Sequence, residues 1–126
     1  MNLYVLIAGI FALFTTIGHF IIGKNWYLKP MLNAEFDSVP KKVMQSVFHY
    51  VSVFLITSSV SLLAYGFGVS AFQGEELLIK FISFNYAAFA IWQVIIALNS
   101  ELPKSLFKLF QWVFFILIAI FSLVGV

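Results

Sequence analysis

The chain has 126 residues, 63% of them hydrophobic and 10% charged, with a mean hydropathy of +1.05. Soluble globular domains carry about 25% charged residues, so these values exclude a soluble domain, and the length allows one compact unit. The formal charge of +2 comes from seven lysines set against five carboxylates. In so apolar a chain it reads as membrane topology rather than as attraction to an acidic partner, and no stretch is long or basic enough for nucleic acid. The lack of cysteine excludes disulfides, thiolate metal sites and cysteine nucleophiles within this sequence.

A spanning helix needs about 20 mainly apolar residues, and four such runs follow one another, over residues 2–22, 43–67, 77–98 and 106–124. The expected fold is an all-α membrane protein, an antiparallel bundle of four transmembrane helices making a single domain over residues 1–126. The first run lacks a positively charged leader and is longer than the apolar part of a signal peptide, so it is expected to stay as a helix. The connection 23–42 mixes Lys24, Lys29, Lys41 and Lys42 with Trp26, Tyr27 and Phe36, the composition of a loop lying partly in the membrane interface. Asp37 or Ser38 ahead of Pro40 suits a helix start, and Pro103 does the same for the fourth run.

Six lysines, at 24, 29, 41, 42, 104 and 108, flank the first and third connections, against Lys80 alone on the other side. The positive-inside rule then places both connections in the cytoplasm and both termini outside, which is the topology expected for a multi-pass protein of a bacterial inner membrane. Trp26 and Tyr27 fit the cytoplasmic aromatic belt, and Tyr4 and Tyr65 the outer one.

Polar groups inside the runs carry the functional information, because lipid makes each expensive unless it faces another helix. At about 1.5 Å per residue, His19, His49, Gln93 and Gln111 each lie about 6 to 10 Å in from the cytoplasmic ends of their runs. Helical spacing joins each to a stripe: Ala8, Ala12, Thr15 and His19; Gln45, His49, Ser52, Ile56 and Ser59; Tyr86, Ala90, Gln93 and Ala97; Gln111, Phe115, Ile118 and Ser122. Trp92 and Trp112 neighbour the two glutamines, as belt, packing or lining residues. Such a layer either fixes helix register through interhelical hydrogen bonds or lines a polar pocket for a small polar or amphipathic ligand.

Two imidazoles on different helices also admit a metal or a bis-His haem, with Lys24, Lys41 and Lys42 near the propionates. A closed zinc site wants four ligands, and no HxxxH or ExxH pair is present. Closely packed helix axes, about 8 to 10 Å apart, would have to splay for a haem. Small-solute or proton passage lacks the buried carboxylate usual in proton-coupled transporters; Thr15, Thr16, Ser52, Ser59 and Asn85 offer a thin polar path. No Ser-His-Asp set, phosphate-binding glycine loop or paired carboxylates can be assembled, so the sequence leans against catalysis, and a histidine acting as general base on a lipid-borne substrate at the cytoplasmic leaflet is the one catalytic route it leaves. The expected partners are membrane lipids and, without a Gly-x-x-x-Gly motif to pick a face, a homodimer or larger membrane complex.

The segments His19-Phe20-Ile21-Ile22-Gly23-Lys24, Gln45-Ser46-Val47-Phe48-His49 and Gln111-Trp112 resemble those of small uncharacterised bacterial four-span integral membrane proteins. Those proteins end their first helix His-x-x-x-Gly plus an acidic residue and open the second with a basic residue, then Trp-His. Lys24, Gln45 and Phe48 depart from that pattern. The resemblance implies a four-span fold and no particular activity.

Overall fold

The computed structural model describes residues 1–69 and 73–126. Among them all regular structure is helical. Helix α1 (Leu3–Gly18) runs on through a π-helical stretch (His19–Leu28) into α2 (Lys29–Asn33), making one continuous helix, Leu3–Asn33. Helix α3 covers Ser38–Phe67 and α4 covers Glu75–Leu98; after a single turn, α5 (Ser105–Lys108), the chain ends in α6 (Gln111–Val124). The first continuous helix, α3 and α4 are long and apolar enough to cross a membrane, and α6 is a shorter apolar helix of 14 residues.

Two segments differ from the sequence expectation. The connection 23–42 is not a loop for most of its length, because the first helix continues to Asn33 and the break spans only residues 34–37 before α3 begins. Lys24, Asn25 and Lys29 take the chain out of apolar composition without ending the helix. Pro30, which cannot donate a backbone hydrogen bond and crowds the preceding turn, is accommodated directly after the π-helical stretch, whose wider turns relieve such crowding. Pro40 lies in the first turn of α3, where a proline costs little, and Asp37 holds the N-cap position without a side-chain bond. The expected fourth run, 106–124, is broken: Lys104 takes a left-handed conformation with φ 55°, α5 ends at Lys108, and α6 starts only at Gln111. At about 1.5 Å per residue, α6 is about 21 Å long, short of the roughly 30 Å hydrocarbon core.

The helices are tied firmly at the end that holds both termini. Asn2 accepts from the Val5 N–H at 3.2 Å, donates its side-chain amide to the Gly125 carbonyl at 2.5 Å, and donates its backbone N–H to the Gly66 carbonyl at 2.8 Å. The start of α1 therefore meets the ends of α3 and α6, and neighbouring helices run in opposite directions. Close approach needs glycine here: a Cβ on Gly66 would stand 2.6 Å from the Leu6 Cα, and one on Gly125 would stand 2.5 Å from the Val5 Cγ2.

Helix α1 is central, packing on both α3 and α6, while α4 packs on α6. Val5, Ala8, Ala12, Leu62, Ile79, Ile82 and Ile118 form much of the buried core. Helices α3 and α4 approach less closely, and the space between them is filled by Phe54, Tyr86, Phe89 and Phe115, whose ring centroids lie 5.3 to 6.1 Å apart in tilted and edge-on pairs.

Candidate functional site

The interior polar chemistry is dominated by hydroxyls that bond back to their own helix and then across to the next. Thr16 donates to the Ala12 carbonyl at 2.8 Å and meets the Ser59 Oγ at 2.8 Å; Ser59 itself bonds the Leu55 carbonyl. Ser58 meets the Tyr86 hydroxyl at 2.8 Å, joining α3 to α4, and Ser83 donates to the Ala119 carbonyl at 2.7 Å, joining α4 to α6. Each of these groups is buried and partnered, so this ladder acts as helix-to-helix adhesive rather than as an open polar path.

At the opposite end from the termini the packing loosens around a cavity of about 290 Å³. It lies over the π-helical part of the first helix, between α3 and the first turn of α6, and exists where α6 starts late. Its walls are mainly Phe14, Phe48, Phe110, Phe114 and Phe115 with Ile22, Val51 and Leu55; Thr15, His19, Tyr27 and Gln111 supply its polar atoms, and no charged side chain lines it. Phe14 is 61% exposed and Tyr27 40% exposed, so the mouth opens sideways at the flank of the first helix.

His19 is the first residue of the π-helical stretch. Its ring stacks on Phe48 with centroids 4.0 Å apart and planes 18° off parallel, and its Nε2 lies 2.8 Å from the Ser52 Oγ. Ser52 already donates its hydroxyl proton to the Phe48 carbonyl at 2.8 Å. With the Ser52 proton on that carbonyl, Nε2 is the donor and Nδ1 of the neutral ring is left as a lone-pair acceptor. Gly23, one π-helical turn on, sets no side chain against that nitrogen: a Cβ there would stand 3.6 Å from Nδ1 and 3.4 Å from the Phe48 ring.

Gln93 donates its side-chain N–H to the Gln111 Oε1 at 2.7 Å, and Gln111 donates a longer bond, 3.4 Å, to the Tyr27 hydroxyl. This line of amides ties α4, α6 and the π-helical stretch together. It is one bond short, since Gln93 Oε1 is buried with no partner. Exchanging the ends of both amides repairs nothing, because the Gln93 N–H₂ would then be the unpaired group.

Of the residues singled out from sequence, His19 and Gln111 line the cavity and Gln93 is bonded to Gln111 behind it. Trp112 stands beside the site and donates its indole N–H to the Leu106 carbonyl at 3.1 Å, stitching α6 to α5. Trp92 is 65% exposed on α4. His49 does not join the layer. It sits on the exposed side of α3, edge-on to Phe48 with centroids 5.7 Å apart. The second stripe is thus turned by one residue: Ser52, Leu55, Ser58, Ser59, Leu62 and Gly66 face inward, whereas Ile56 is exposed. The other stripes keep Ala8, Ala12, Tyr86, Ala90, Ala97, Ile118 and Ser122 buried.

A bis-imidazole haem or metal site does not fit these residues. His19 commits Nε2 to Ser52 and one face to Phe48, and His49 lies outside the cavity. Among the described residues no three His, Cys, Asp or Glu side chains come together.

Tyr27, Phe48, Gly23 and the α6 phenylalanines are site residues that sequence reasoning did not assign. Gly23 has a signal in its spacing four residues after His19; Tyr27 has the composition of an interfacial-belt residue, and Phe48 lies off the stripe through His49. No protein-family model, curated protein or solved structure matches the chain.

Proposed function

We propose that the protein is a four-span inner-membrane binding module, both termini outside, whose cavity takes a small amphipathic molecule from the cytoplasmic half of the bilayer. The observation that carries this reading is the aromatic-walled cavity of about 290 Å³ with His19 and Gln111 at its polar end. Ligand pockets combine an apolar lining with a few placed polar groups and run from about 300 Å³ upward, so this one suits a head and its first carbons, not a whole lipid. The six lysines at the cavity end support the cytoplasmic assignment of that end through the positive-inside rule. The first helix and α3, of 31 and 30 residues, exceed the bilayer core and would carry Lys24, Lys29, Lys41 and Lys42 clear of it. In this topology α6 crosses with the help of α5 and residues 109–110, and the bilayer meets the remaining mismatch by thinning.

The His19 ring has Nε2 on Ser52 and one face on Phe48, a placement that suits holding a ligand.

The test is thermal unfolding of the purified full chain in detergent, with and without an added extract of bacterial lipids. A ligand that binds only the folded chain raises the midpoint. The extract should raise it for the wild type and less for His19→Leu and Gln111→Leu. An equal shift for all three chains would remove the cavity from the explanation.

A further inference from the structure

The spare hydrogen-bonding atoms of the cavity go further and specify the head group of its occupant, an inference that rests on the binding role proposed above. Each polar atom can be sorted by what it has left to offer. The His19 Nε2–H is spent on Ser52, so its Nδ1 offers a lone pair. Thr15 has spent its proton on the Phe11 carbonyl at 2.8 Å. The Gln111 amide has two N–H groups and uses one of them, on Tyr27 or, with its ends exchanged, on Gln93. The Tyr27 hydroxyl accepts from Gln111 and keeps its own proton, and the Thr15 oxygen keeps its lone pairs. The site therefore presents neutral acceptors, on His19 and Thr15, and neutral donors, on Gln111 and Tyr27, above a lining of phenylalanines and without any charged group.

Charged heads fit this inventory poorly. A carboxylate or phosphate would set its charge beside the Nδ1 lone pair with no cation to meet it, and an ammonium would find neutral acceptors and no anion. Burying an unpaired ion is far costlier than burying a hydrogen-bonded neutral group. A carbonyl can use the Gln111 donor but leaves Nδ1 unmatched. A hydroxyl uses both: it donates to Nδ1 and accepts from Gln111. We propose that the cavity binds an uncharged amphipathic alcohol, a hydroxyl on a linear or branched hydrocarbon chain, with the hydroxyl bridging His19 Nδ1 and Gln111 and the chain leaving past Phe14 into the bilayer. Gly23 makes this possible by setting no side chain against Nδ1.

The experiment uses the full chain in nanodiscs of zwitterionic phospholipid and a twelve-carbon alcohol carrying a photoreactive diazirine on its chain. Labelled positions are mapped by mass spectrometry, and dodecan-1-ol, dodecanoate, dodecylammonium and dodecane compete. The expected result is labelling at Phe14, Phe48 or Phe114, displaced by dodecan-1-ol at concentrations at least about tenfold lower than by the other three. Losing one good hydrogen bond corresponds to about tenfold in affinity, so Gln111→Leu and His19→Leu should each raise the effective dodecan-1-ol concentration by about that factor. Gly23→Ala provides a milder variant: its methyl makes only ordinary contacts, at 3.4 and 3.6 Å, and preserves the His19–Ser52 bond while covering Nδ1. It should fold like the wild type and lose the preference for the alcohol. Displacement by dodecanoate, dodecylammonium or dodecane as effective as by the alcohol overturns the hydroxyl assignment and leaves the binding role standing. Labelling outside the cavity, or labelling that no competitor displaces, overturns both.

Discussion

The two ends of the bundle solve the same packing problem in opposite ways. At the terminal end, glycines let helix backbones touch: Gly66 lies against Leu6, Gly9 against Leu63 and Gly125 against Val5, and Asn2 laces three helices with hydrogen bonds. At the other end the first helix widens into π-helical turns, α6 begins late, and phenylalanine rings hold the helices apart around a cavity. Between lipid-like surfaces, helices gain little from burying leucine, so close van der Waals contact and hydrogen bonds decide association. The terminal end collects those terms. The cavity end keeps hydrogen bonds, from His19 to Ser52 and along Gln93, Gln111 and Tyr27, but forgoes close backbone contact, and π-helical turns frequently accompany functional sites. In this chain the end that gives up close backbone contact is the end that holds the cavity.

Substitutions at the glycines should break the comparison hardest. Gly66→Leu forces a side chain into a site where even a Cβ would stand 2.6 Å from backbone atoms of Leu6. The neighbour is backbone and cannot rotate away, so the loss should reach or exceed the usual overpacking cost of about 1 to 3 kcal/mol, read as a large fall in the unfolding midpoint in detergent. A small change would mean that the terminal end is looser than its geometry. Next in size comes Tyr86→Phe, which deletes the hydroxyl that bridges to Ser58 while leaving the ring among Phe54, Phe89 and Phe115. Ser58 keeps its bond to the Leu55 carbonyl at 3.2 Å, so the cost should be that of one interhelical bond, about 0.6 to 1.7 kcal/mol.

Gly18→Ala sharpens the contrast by reversing the sign. Gly18 lies at the cavity, and a Cβ on it would meet nothing within 4 Å. Alanine costs less backbone entropy than glycine inside a helix, by roughly 0.5 to 1 kcal/mol, so this variant should unfold at a higher temperature than the wild type. It should also take up less ligand, because the methyl occupies cavity space. A fall in stability would show that the cavity end is packed as tightly as the terminal end.

How much of this was legible follows from what lipid does to sequence signals. Long apolar runs mark helices crossing a medium that leaves no backbone group unpaired, and the three long helices follow those runs. The same logic misplaces Gly23–Asn33, where Lys24, Asn25 and Lys29 mark departure from apolar surroundings and a helix can outlast that departure. The late start of α6 carries no proline or glycine at Leu109 or Phe110 to announce it. His19, Gln93 and Gln111 were readable because polar side chains in hydrocarbon need partners. Which face of α3 turns inward was not, because a lipid-facing surface is as apolar as a core. The stripe through Gln45, His49, Ser52, Ile56 and Ser59 and the observed one through Ser52, Leu55, Ser59, Leu62 and Gly66 differ by a single residue of rotation.

That rotation yields the smallest and most discriminating effect, the contrast between the two histidines. His19→Leu removes the 2.8 Å bond to Ser52 and the imidazole stacked on Phe48, and should cost about 0.6 kcal/mol or somewhat more, as one interhelical bond does. His49→Leu removes a ring on the exposed side of α3 whose ring contact is the edge of the neighbouring Phe48. Exposed substitutions of this kind stay within about 0.5 kcal/mol of the wild type, and trading imidazole for leucine on a surface facing hydrocarbon should leave the unfolding midpoint unchanged or slightly raised. Measured side by side in one detergent, the two variants separate a histidine that holds helices together from one that does not. If His49→Leu costs as much as His19→Leu, α3 is turned inward at residue 49 after all, and the cavity has a second imidazole to account for.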